Sequence, residues 1–198
     1  FFDKRSKFIH YSPNTLVINN IEFDHADIFN DLNDIKRQFH HLVKIIPGNG
    51  NIIYFEDDKN ILDLLSQGSW STLIPIGENG SYQVDTKDNL IHALGKKYSL
   101  DNFEIFGAHN AKNIVAAIAA ANINGVSVDS SINALKNFEG VKRRLEIKYE
   151  DSSTMIIDDF AHHPTAIKYA INAVQNKFKG SSILGLIELG SNTMSEGV

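Results

Sequence analysis

Three short apolar runs, spaced by two helix-like stretches, constrain this chain more than any other feature. "TLVINN" (residues 15–20), "NIIYF" (51–55) and "STLIPIG" (71–77) are β-branched and bounded by polar or turn residues, as buried strands are. After the first run, Asp31 suits a helix N-cap, and Leu32, Ile35, Phe39 and Leu42 recur on one face of a helix reaching about Lys44. "PGNG" stops it, and "DKNILDLLSQG" reads as a second helix closed by glycine. A β-α-β-α-β rhythm implies crossover connections, hence a parallel sheet covered by helices.

The pattern then changes. "SYQVD", "NLIHAL" and "KKYSLDNFEIF" are alternating runs between turn residues, which predicts an antiparallel appendage over residues 80–106. Gly107 opens "GAHNAKN" and a helix of small residues to about Ile123, and a further helix is expected from about Asp129 to Asn137. "NFEGVKRRLEIKYED" is the expected domain junction. Beyond it, "RRLEIKY", "STMIIDDF" and "SSILGLIEL" read as strands, with a helix from Pro164 to Phe178. This begins a second α/β unit with too few elements to cover both faces of a sheet, so the chain reads as cut at both ends. The division expected is 1–140 and 141–198.

Bulk properties narrow the chemistry. There are no cysteines, which removes disulfides, thiolate metal sites and cysteine nucleophiles. A net charge of −5 lacks the basic footprint of a nucleic-acid binder. The longest apolar run, residues 114–121, falls far short of the roughly 20 residues of a membrane span. "FFDKRSKFIHY" has no signal-peptide layout. A cytoplasmic location is expected, with no nucleic-acid or membrane partner.

Four polar motifs stand at strand ends or helix starts. In "DDFAHHPTA" (158–166), Pro164 fits a first helical turn. Asp158 to His163 therefore lie between a strand's C-terminal end and a helix, the edge where open α/β sheets bind ligands. A carboxylate there can accept both ribose hydroxyls, and a histidine can donate to phosphate. The same residues also suit a strand end and a plain helix cap. A zinc site lacks support, because adjacent histidines diverge and no third ligand is suitably spaced. "GAHNAKN" puts His109, Asn110 and Asn113 in the first turn of a helix. Asn110 and Asn113 share a face, and their amides match an adenine edge or serve as caps. In "DHAD" (24–27), His25 with its flanking acids suits Mg²⁺ near phosphate, or a solvated turn. "KRRLE" places Arg143 and Arg144 at a strand start, on opposite faces by alternation. One could reach a phosphate, or both could be ordinary edge charges. No G-x-x-x-x-G-K-[ST] phosphate loop and no G-x-S-x-G elbow occurs in the 198 residues.

Taken together and in order, "NNIEFDHADIF", "GAHNAKNIVAAIAAA", "GVKRRLE" and "DDFAHHPTA" resemble the Mur ligases, ATP-dependent amide ligases of peptidoglycan synthesis. "FFDKRSKF", "FHHLV" and "SNTM" resemble the branch that joins the tripeptide L-alanyl-γ-D-glutamyl-meso-diaminopimelate to UDP-N-acetylmuramate. The resemblance implies the later part of a central ATPase domain followed by the first part of a Rossmann-like domain. It implies ATP and Mg²⁺, with the muramyl carboxylate activated as an acyl phosphate before the tripeptide amine attacks. It also assigns roles. His25 is the Mg²⁺ ligand. Asn113 contacts adenine, with His109 and Asn110 beside it. Arg144 reaches the ATP phosphates across the junction. Asp159 takes the ribose, and His162 is a basic group on the phosphate side. Ser191 and Asn192 belong to the loop that recognises the peptide. Two departures stand out. His40 and His41 occupy the region where some relatives have a carbamylated lysine, and Glu188, Leu189 and Gly190 replace the usual Glu-Pro-Arg. The readings in competition are a sibling branch that adds L-alanine to the same nucleotide sugar, and a non-catalytic remnant.

Overall fold

The computed structural model describes residues 6–25, 28–101 and 103–188. Its centre is a six-stranded sheet in the order β1-β2-β3-β4-β5-β6. β1 (Thr15–Ile18), β2 (Asn51–Phe55) and β3 (Thr72–Ile76) run parallel, with Val17 beside Ile53 and Ile53 beside Ile74. The two crossovers are α1 (Leu32–Ile45) and α2 (Lys59–Ser66). Both start on side-chain caps: the Asp31 carboxylate accepts the Asp34 N–H, and the Asp58 carboxylate accepts those of Asn60 and Ile61. These bonds satisfy donors that a helix start leaves unpaired.

Strand alternation divides the core. Ile52 points to one face, where Ile35, Leu42, Val43, Ile61 and Leu64 of α1 and α2 bury it, with Leu32 and Phe39 packed alongside. Ile53 and Phe55 point to the other face, against α3 (Ala108–Ile123) and α4 (Val128–Leu135). The buried face of α3 carries Ala111, Ala116 and Ala119 beside Ile114, Val115 and Ile118. Small side chains let its backbone approach the sheet closely. α4 begins one residue before the expected Asp129 and is capped by the Ser127 hydroxyl.

The antiparallel strands β4 (Tyr82–Asp85), β5 (Leu90–Ala93) and β6 (Lys96–Ser99) form hairpins as expected. They extend the main sheet through the single pair Ile76–Tyr82, and the Tyr82 hydroxyl donates to Asn122 on α3 at 2.8 Å. The appendage thus shares the core.

Beyond α4, β7 (Glu146–Glu150) and β8 (Met155–Asp158) pair antiparallel, and α5 (Pro164–Lys177) follows. Two expectations fail here. Arg143 and Arg144 precede β7 in a turn, where Arg143 (φ 58°) and Leu145 (φ 52°) are left-handed, so strand alternation does not govern them. Residues 181–188 form no strand. The run is apolar enough, but a strand needs a partner for its N–H and C=O groups. Leu184 and Leu186 are about nine-tenths exposed there.

Candidate functional site

A cleft of about 950 Å³ opens where β1, β2 and β8 end and α3 begins. It is the strand-end edge where α/β folds place ligands. Asn19 and Asn20 come from the end of β1 and Asp57 and Asp58 from the end of β2. The first turns of α3 contribute His109, Asn110 and Asn113. The far wall comes from residues beyond 140: Arg144 from the turn before β7, Asp159 from the end of β8, and Ala166, Tyr169 and Ala170 from one face of α5. Five residues singled out from the sequence, His109, Asn110, Asn113, Arg144 and Asp159, therefore meet in one cleft.

The Asp159 carboxylate binds its own loop. Oδ2 accepts the Leu145 N–H at 2.8 Å and Oδ1 accepts the Ala161 N–H at 2.7 Å. Each oxygen keeps a second lone pair, so the carboxylate can also receive hydroxyls from the cleft. Through Leu145 it holds the left-handed turn that carries Arg144. Phe160 lies under both guanidiniums, with Arg143 at 4.8 Å and Arg144 at 5.9 Å from its ring centre. Arg143 also pairs with Asp158 at 3.5 Å, which leaves Arg144 as the arginine of the cleft wall.

His109 lies against α5. Its ring stacks on Tyr169 at 6.2 Å and 20°, and its buried Nδ1 has no hydrogen-bond partner. Burial pushes its pKa below the ordinary histidine value, the Asp159 carboxylate raises it and the Arg144 charge lowers it. A buried nitrogen without a partner is costly, and here it is packed beside Gly107 at the start of α3.

The adjacent histidines differ. Nδ1 of His163 accepts the Thr165 N–H at 3.3 Å, capping α5, and Nε2 lies 3.2 Å from the Phe23 carbonyl. A carbonyl only accepts, so Nε2 carries the proton. His163 is a helix cap and also a tie to the loop after β1. Nδ1 of His162 lies 3.0 Å from the Phe160 carbonyl and its ring sits edge-on to Phe160; it contributes nothing to the cleft wall. His25, left-handed at φ 57°, also lies outside the wall. Its N–H donates to the Asp24 carboxylate at 2.7 Å. Among the described residues no three His, Asp or Glu side chains cluster to hold a metal. Ser191, Asn192, Leu189 and Gly190 lie outside the described residues.

Several cleft residues were not singled out in the sequence. Asn19 directly follows "TLVI", so the strand-end rule alone could have flagged it. Tyr169 shares a helical face with Ala166 and Ala170. Lys112, 2.7 Å from Asp57 and 5.0 Å over the Phe55 ring, lies inside "GAHNAKN" but was given no role there.

Comparison with known proteins decides the family. Residues 2–121 match the Mur ligase middle domain, and residues 143–196 match the Mur ligase glutamate ligase domain. The chain belongs to the Mur ligase family. All of this Mur ligase chain aligns at 45% identity with the UDP-N-acetylmuramate–L-alanyl-γ-D-glutamyl-meso-2,6-diaminoheptandioate ligase of Escherichia coli K12. Over 87% of its length it is 32% identical to the UDP-N-acetylmuramate–L-alanine ligase of Clostridium kluyveri, 39% of which is covered. Among solved structures, a murein peptide ligase from Psychrobacter arcticus 273-4 superposes with a TM-score of 0.67 at 35% identity, over 91% of this chain and 38% of that one. The chain spans about 45% of the length of the Escherichia coli relative.

Proposed function

We propose that this Mur ligase chain forms the nucleotide-facing part of an ATP-dependent ligase. That enzyme joins the tripeptide L-alanyl-γ-D-glutamyl-meso-diaminopimelate to UDP-N-acetylmuramate. One observation carries the reading: His109, Asn110 and Asn113 of residues 1–140 line the same cleft as Arg144 and Asp159 of residues 141–198. The higher identity to the tripeptide ligase of Escherichia coli than to the L-alanine ligase of Clostridium kluyveri favours the tripeptide as substrate.

The cleft fits a nucleoside: side-chain amides for the base, spare carboxylate lone pairs for the ribose, and an arginine for phosphate. Asn113, with Asn110 and His109, would hold adenine. Asp159 would hold the ribose and Arg144 would neutralise phosphate charge. His162 would act as a basic group on the phosphate side, and His25 would be the protein's ligand to Mg²⁺, which keeps most of its shell as water and phosphate oxygen. Ser191 and Asn192 would meet the peptide. ATP, when bound, supplies the phosphoryl group that turns the muramyl carboxylate into a reactive acyl phosphate. The chain's own groups contribute orientation and charge neutralisation. Because the cleft wall comes from both units, closing one on the other completes it. No helix among the described residues is long and apolar enough to cross a membrane. ATP and a nucleotide sugar as substrates make the cytoplasm the proposed compartment.

The 198 residues hold no phosphate loop, so the chain by itself is expected to give no ligase turnover. The direct test is a chimera in which it replaces the aligned segment of the Escherichia coli relative. ATP- and tripeptide-dependent product formation supports the reading. A folded chimera that uses L-alanine instead assigns the sibling activity, and one that binds no ATP refutes the proposal.

A further inference from the structure

Three side-chain amides form a relay across the floor of the cleft. Nδ2 of Asn19 donates to Oδ1 of Asn113 at 2.6 Å, Nδ2 of Asn113 reaches Oδ1 of Asn110 at 3.5 Å, and Nδ2 of Asn110 donates to the Phe106 carbonyl at 2.8 Å. An asparagine amide can be turned end for end at almost no steric cost, so its orientation depends on its partners. Here one end is beyond dispute, because a backbone carbonyl only accepts. Asn110 must turn Nδ2 toward Phe106, which turns its Oδ1 toward Asn113. Asn113 must answer with Nδ2, and its Oδ1 is left facing Asn19. The relay therefore has one polarity, and Asn19 closes it by supplying a donor from a different element, 94 positions away in sequence.

We propose that Asn19 is a positioning residue that locks the Asn113 amide in one orientation, and thereby selects the base that the cleft accepts. The inference rests on the nucleotide-binding reading above. After its two relay bonds, Asn113 retains one N–H and one lone pair on Oδ1. That pair suits a base with a donor at position 6 beside a ring-nitrogen acceptor, which is adenine. Hypoxanthine and guanine carry an acceptor at position 6, which would face Oδ1 across an unfavourable contact. Without Asn19, the described residues restrain the amide only through the long link to Asn110.

Replacing Asn19 by aspartate tests the polarity, because the shape is kept while the donor becomes an acceptor. Asn113 must then either turn Nδ2 toward the carboxylate or leave two oxygens in contact. Asn19 is exposed, so Asn19→Asp and Asn19→Ala should unfold at the same temperature as the unaltered chain. Each is titrated with Mg·ATP and Mg·ITP and followed by NMR. The two nucleotides carry equal charge, so the added carboxylate cancels in their affinity ratio. The unaltered chain is expected to prefer ATP by roughly five- to 150-fold, the discrimination of a bidentate amide–base pair. Asn19→Asp should bring the ratio close to one, and Asn19→Ala should lower it part of the way. If the unaltered chain prefers ATP and Asn19→Asp keeps the full ratio, the relay does not select the base and the proposal fails, while the nucleotide reading stands. If the unaltered chain binds both nucleotides alike, the base selection falls and the nucleotide reading stands; if it binds neither, both fall together.

Discussion

Replacing Asp159 should do two things at once, because its carboxylate faces the cleft and also holds the turn before β7. Asp159→Ala removes the acceptor for the Leu145 N–H at 2.8 Å and that for the Ala161 N–H at 2.7 Å. Leu145 is only 6% exposed, so water replaces the first bond poorly. Hydrogen bonds to a charged group contribute about 1.5–3 kcal/mol each, and the lower end applies to this half-buried pair, giving roughly 3 kcal/mol. For a chain of this size that lowers the unfolding midpoint by roughly 6–12 °C. Asp159→Asn keeps one oxygen and turns an NH₂ toward the other N–H, so it should lose about half as much or slightly more. The chain and both variants would be heated and followed by circular dichroism, and the same substitutions placed in the chimera for kinetics. Loss of a ribose contact alone raises the KM for ATP and leaves kcat untouched. Displacement of Arg144 with its turn lowers kcat as well, and that combined loss is the expected outcome for Asp159→Ala. An Asp159→Ala midpoint within about 1 °C of the unaltered chain would refute the idea that this carboxylate holds the turn.

Burial lowers the pKa of His109 from 6.5, so the unfolded chain takes up a proton there before the folded one does. Stability should be full above that value and fall as pH drops through it; His109→Phe should flatten part of the fall in unfolding midpoint against pH, the remainder coming from His40, whose pKa burial also lowers. Gly107→Ala should destabilise by more than about 1 kcal/mol in urea unfolding, since φ is +96° and the new Cβ would stand 2.8 Å from the Ala173 side chain on α5. His163→Ala should cost about 1 kcal/mol through the lost α5 cap; raised amide exchange in the loop at Phe23, measured alongside, would show that the tie from His163 to that loop was lost as well.

Local features of this chain could be read directly from its sequence. A helix cap acts within three residues and a strand's alternation within four or five. Asp31 as a cap, Pro164 at a helix start, the parallel order of the first three strands and the antiparallel run after residue 80 all follow from neighbours along the chain. The clustering of His109, Asn110, Asn113, Arg144 and Asp159 was likewise foreshadowed, because strand ends and helix starts in such folds face one edge.

What escaped local reading depends on partners far away in sequence. Arg143 and Leu145 adopt left-handed backbone without being glycine, and Asp159, 14 positions beyond Leu145, accepts the N–H that this geometry presents; nothing in "KRRLE" announces it. Asn19 and Asn113 touch only because β1 and α3 lie side by side. The run "SSILGLIE" has the composition of a strand, yet pairs with neither β7 nor β8. Composition expresses a preference for extended backbone, but hydrogen bonds to a neighbouring strand make the strand, and those exist only where the tertiary structure brings a neighbour alongside.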